Sequence, residues 1–168
     1  GVVPNISASV VIPAGSTVTV DQVTTFYDLS VSGSLVWNGT ANAMTVLSNI
    51  TVNAGGRFLP YTSATTPSGI TVNVGGNFTN NGYANFAAGT GTAAFLNFNG
   101  TGSTLSGSGY FEGDGTRGLI RQLFFQNTGA NTISTTQSLV THSFGHTAGS
   151  LNTNGKLTID NAFGALGL

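Results

Sequence analysis

Glu112 and Asp114 stand two positions apart, and Arg117 and Arg121 follow close behind. Hydrolysis of a glycosidic bond needs two carboxylates flanking it, near enough to act together. Residues two apart on a strand share a face. This acidic pair and its arginines are therefore the one place in the sequence shaped like a polysaccharide-cleaving, lyase-like site. A solvated loop holding a local ion pair accounts for the same four residues and is the expected reading. The clustered aspartate pairs and Gly-His-Gly step of β-helix pectinases are missing, and the other acids, Asp21, Asp28 and Asp160, are scattered.

His142 and His146 are four apart, a zinc-chelating spacing on a helix. On a strand rising about 3.3 Å per residue they would stand about 13 Å apart, too far to share an ion. Gly145 between them predicts a turn, and a corner or core position is expected for both. Gly113-Asp114-Gly115 is similar to part of a calcium-binding nonapeptide, but those solenoids repeat GGxGxD to gather several oxygen ligands. No cysteine is present, which excludes disulfides, thiolate metal sites and cysteine nucleophiles. The expectation is a non-enzymatic protein with no metal and no cofactor.

With Leu123 and Phe125 turned inward, Phe124 faces outward, while Trp37 and Tyr61 fall near strand ends. These three are the candidates for a surface contact, stacking on a sugar or burying against a partner. Asn-x-Ser/Thr triplets begin at Asn5, Asn38, Asn49, Asn77 and Asn99, a yield that composition alone explains. An ice-binding ladder would need Thr outward on every coil. The expected outward series, Val11, Ser30, Thr51, Thr71, Asn97 and Phe124, breaks after two threonines.

The elements carrying these residues repeat. Residues 50–58 read ITVNAGGRF and residues 70–78 read ITVNVGGNF, identical at seven of nine positions. Residues 10–18 (VVIPAGSTV) and 29–37 (LSVSGSLVW) fit the same frame, and longer, degenerate units start at 96, 123 and 142. Apolar residues alternate with Thr, Ser or Asn, the period of a strand with one buried face. Gly-rich or Asn-Gly steps end each strand. The third positions, Ile12, Val31, Val52, Val72, Phe98, Phe125 and Phe144, recur every 19 to 27 residues.

This pattern predicts an all-β fold: a right-handed parallel β-helix (β-solenoid) of seven to eight coils, about 35 Å long. A β-sandwich is the alternative. In the solenoid frame Val52 stacks on Val72 inside, Thr51 stacks on Thr71 outside, and the seven third-position residues form one apolar column. Residues 79–122 break the rhythm and read as longer corner loops, where a local function would sit. Residues 1–168 are expected to form a single domain, a segment of a longer chain. Gly1-Val2-Val3-Pro4 could cap one end, whereas the apolar run 162–168 suggests a continuation or a docking surface.

Composition agrees. Charged residues make up 5% of the chain, against about a quarter in ordinary domains. Gly, Thr, Asn and Ser together supply about half of it, and all four are poor in helix interiors. Four basic residues, Arg57, Arg117, Arg121 and Lys156, cannot track a phosphate backbone, so no nucleic-acid partner is expected. No apolar run approaches the ~20 residues of a membrane-spanning helix. The first residues carry no signal-peptide pattern.

Residues 10–58 resemble the eight-glycine β domain of extracellular proteins, through Ile12-Pro13-Ala14-Gly15, Gly33-Ser34-Leu35 and the strand from Ile50 to Gly56. The remainder, with Gly75-Gly76-Asn77-Phe78, Phe98-Asn99-Gly100-Thr101-Gly102-Ser103 and Gly149-Ser150-Leu151-Asn152, is similar to repeats of Bacteroidota-type surface adhesins. These resemblances imply export and a β-helix scaffold, and they carry no functional residue with them. The leading expectation is a structural or adhesive segment of a secreted or cell-surface bacterial protein. Its partners would be a surface glycan, a protein, or neighbouring copies end to end. A carbohydrate-binding or polysaccharide-processing β-helix and a self-assembling filament subunit are the alternatives.

Overall fold

Val, Ile, Thr and Phe fill the short segments of this chain, and Gly, Asn and Ser punctuate them, a composition that favours strands over helices. In a computed structural model, which describes residues 6–37, 43–60, 70–86, 94–113 and 116–160, the result is a right-handed parallel β-helix of about seven coils. The first sheet stacks Ser9–Ile12, Asp28–Val31, Ile50–Val52, Phe78–Asn80, Thr104–Gly107, Ala130–Thr135 and Ser150–Asn152. The second stacks Thr17–Val20, Ser34–Trp37, Arg57–Leu59, Tyr83–Asn85 and Tyr110–Gly113. The third holds Thr24–Phe26, Ala43–Val46, Ile70–Val74, Ala94–Phe98, Gln122–Phe125 and Ser143–His146.

The alternation read from sequence is the alternation of burial. In Ile70–Val74 the first, third and fifth residues are buried and the other two are half-buried. Ala94–Phe98 repeats the pattern. Parallel pairing sets each side chain over its counterpart one coil below, at the roughly 4.8 Å spacing of neighbouring strands. Like residues therefore pack on like.

The predicted columns need correcting. The first strands of units 10–18, 29–37 and 50–58 do superimpose, with Ile12 on Val31 and Val31 on Val52, but the shorter corner of 29–37 sets Leu35, not Trp37, between Val18 and Phe58. Val72, however, lies in the third sheet, between Met44 and Leu96. Val52 is followed in its own column by Asn80. The near-identical units 50–58 and 70–78 thus turn different corners: the first runs from the first sheet to the second, and the other runs from the third to the first. The nine-residue pattern encodes strand, corner and strand, and the triangular coil uses it at more than one vertex. Phe98 does stack on Phe125, but Phe144 follows Leu123. The apolar spine is several columns, not one.

The same shift changes the outer faces. Thr51 sits on Thr79, not Thr71, and Ser30, Thr51, Thr79, Ser106 and Ser134 form an unbroken hydroxyl column on the first sheet. These groups bond within the scaffold: Thr79 Oγ1 and Ser106 Oγ are 3.2 Å apart, and Asn53 Nδ2 donates to Ser30 Oγ at 3.0 Å.

A second ladder runs along the edge of that face. The Asn49 N–H donates to Asp28 Oδ1, the Asn77 N–H to Asn49 Oδ1, and the Thr104 N–H to Asn77 Oδ1, at 2.9, 3.0 and 2.9 Å. Each side chain satisfies a main-chain donor one coil on, 21, 28 and 27 residues away in sequence. Coils of different length are thereby held in one register. Asn49→Ala removes a rung of this ladder and is expected to cost about 1 kcal/mol, read as a lower urea midpoint at unchanged slope.

Inside, Phe58 meets Trp37, Phe78 and Phe86 at ring-centroid distances of 5.7, 5.5 and 5.7 Å. Phe111 extends the cluster through Phe78 at 6.0 Å. Phe98 and Phe125 stack at 4.8 Å, 8° from parallel.

The second sheet is interrupted. After Tyr110–Gly113 the chain doubles back, and Thr116–Arg117 pairs antiparallel with that strand. The Gln137 amide closes the gap: Phe111 N–H donates to its Oε1 at 2.8 Å, and its Nε2 donates to Phe111 O at 3.3 Å. Beyond the gap, Leu139–Thr141 and Leu157–Ile159 form a separate two-stranded sheet.

Candidate functional site

Three successive coils turn from the first sheet into the second with one local formula: a small or polar residue, a glycine, then the first residue of the strand. They read Gly55-Gly56-Arg57, Asn81-Gly82-Tyr83 and Ser108-Gly109-Tyr110. The middle glycine is obligatory. A Cβ on Gly56 would strike Val31 O, one on Gly82 would strike Gly56 O, and one on Gly109 would strike Gly82 O. A bare backbone floor results, and these nine residues line a groove of about 370 Å³ along the helix axis.

Arg57, Tyr83 and Tyr110 stand in register as one wall. The Arg57 guanidinium lies over the Tyr83 ring, 5.0 Å from its centroid, and Arg117 covers Tyr110 at 4.7 Å. Such contacts hold a cation over the ring while leaving N–H groups free to bond. On the opposite wall Asn81 Oδ1 accepts from the Ser108 N–H and Oγ, at 3.1 and 3.3 Å. Asn85 Nδ2 donates to Tyr83 Oη at 3.4 Å. Burial raises the Tyr83 phenol above its ordinary value of 10.0, and the negative charge of Glu112 adds to the rise. Tyr83 therefore stays a neutral hydroxyl donor at physiological pH.

The doubled-back segment brings Glu112 opposite Arg117 in antiparallel register. Arg121 is buried, at 9% exposure. Asp114, the second acid of the predicted pair, lies outside the described residues. Trp37 is not a surface contact: the alternation of Ser34–Trp37 turns it inward to 1% exposure, edge-on to Phe58. Phe124 does face outward but is half-buried. It stacks on Phe95 at 6.1 Å and lies across Gly145, where a Cβ would collide with its ring. Tyr61 is outside the described residues, as are the expected caps at 1–4 and 162–168. His142 precedes Ser143–His146, and His146 follows Phe125 in its column.

Arg57, Tyr83 and Tyr110 were not among the sequence candidates. The signal that could have found them is the recurring x-Gly-Arg/Tyr triplet at 55, 81 and 108.

The fold and groove together define a class: a parallel β-helix that displays polar and aromatic side chains from one stacked corner. The G8 domain pattern matches residues 1–86, half of the chain, and the chain belongs to the G8 domain family. G8 domains occur in extracellular and membrane proteins. No curated protein and no solved structure matches the chain with significance. Among the described residues no helix is long and apolar enough to cross a membrane.

Proposed function

We propose that the chain is a non-enzymatic structural and adhesive segment of a secreted or cell-surface bacterial protein, of the kind found in Bacteroidota-type surface adhesins. The observation that carries this reading is the side-chain ladder from Asp28 through Asn49 and Asn77 to Thr104. It fastens coil to coil outside the core and makes the solenoid a stiff spacer. A rod of this kind resists bending because each coil is bonded to its neighbours along the first and third sheets throughout.

The rival reading is a polysaccharide-processing β-helix centred on Glu112. A screen of uronate and neutral polysaccharides for depolymerisation separates the two. The expected result is no release of reducing or unsaturated ends. Cleavage that disappears in Glu112→Ala would overturn the structural reading.

A further inference from the structure

We infer that the groove over Gly56, Gly82 and Gly109 is a binding site for an acidic oligosaccharide, a short glycan bearing hexuronate carboxylates. Three observations converge on it. Two of the chain's four basic side chains, Arg57 and Arg117, are gathered at this one wall. Each lies over a tyrosine ring, which holds the guanidinium in place before any ligand arrives. Among the described residues neither guanidinium has a protein hydrogen-bond acceptor, so both forks remain available to a carboxylate.

The remaining lining is suited to sugar hydroxyls. Asn81 spends its Oδ1 on Ser108 and keeps its Nδ2 donors for solvent or ligand. Tyr110 is 51% exposed, a ring edge and phenol standing beside the floor. The glycine floor lets a flat ring approach the main chain closely. Three rungs at strand spacing span about 10 Å, room for roughly two sugar units along the axis. Glu112 partly offsets the positive charge, which keeps the site from trapping any polyanion indiscriminately. The site does not depend on the rod reading, since a spacer and an enzyme could each carry it.

Calorimetric titration with tetragalacturonate as the probe tests this, with cellotetraose as the neutral counterpart and tetraglutamate as an acidic chain that is not a sugar. Saturable binding of tetragalacturonate that weakens with added salt is expected, with cellotetraose much weaker and tetraglutamate weaker still. Arg57→Ala and Arg117→Ala should each lose about tenfold in affinity, and Glu112→Gln should gain a few-fold. Arg57→Lys, which keeps the charge but not the guanidinium, should fall between. Circular dichroism of the exposed-site variants should match the parent, so a loss of binding is not a loss of fold. Absence of saturable binding, equal binding of cellotetraose or tetraglutamate, or unchanged affinity in both arginine variants would overturn the assignment.

Discussion

Phe58→Ala should be the most damaging single truncation in the first half of the chain, costing about 4 kcal/mol. Phe58 is 0% exposed and touches Trp37 on the coil before it and Phe78 and Phe86 on the coil after it. Losing the ring removes its transfer free energy and leaves a void that stacked coils cannot close, because their spacing is set by main-chain hydrogen bonds. For a chain of this size the loss corresponds to about 10 °C in melting temperature. Thermal unfolding followed by circular dichroism checks it. A drop below about 3 °C would mean that the coils slide to fill the hole.

Gly107→Ala should approach the same size for a different reason. Gly107 has a φ of +117°, and a Cβ there would collide with the Asn80 carbonyl one coil below. Backbone strain and steric overlap then add, to roughly 3 kcal/mol. Gly15→Ala separates the two contributions. Gly15 also has a positive φ, +79°, but its Cβ would meet nothing within 4 Å, so about 1 kcal/mol is expected. Denaturant midpoints of the two variants give the comparison directly. Equal losses would show that contact between coils contributes nothing to the glycine requirement.

The architecture was legible because period-two alternation and glycine punctuation report local strand geometry, which neighbouring coils reinforce. Which strands lie above one another was less legible. Units 50–58 and 70–78 differ at only two positions, Ala54 against Val74 and Arg57 against Asn77, and those differences carry the information. Ala54 is exposed on a turn, while Val74 is 0% exposed inside a strand that runs two residues further before bending. Asn77 feeds the ladder to Thr104, whereas Arg57 forms the groove wall. Matching the seven identical positions pairs the wrong strands; weighing polarity at the other two separates the corners. The groove stayed hidden because its members, Arg57, Tyr83 and Tyr110, are far apart in the chain and converge only through the register. Trp37 misled because an aromatic at a strand end says nothing of its side until the alternation is phased from Leu35.

The break in the second sheet has a mechanical consequence. Two walls of the prism continue through it, while the third is joined there by a hairpin, one glutamine amide and the single parallel bridge between Leu119 and Val140. Tension along the long axis would concentrate at that seam, so the molecule would tear as two blocks rather than unravel from its tips.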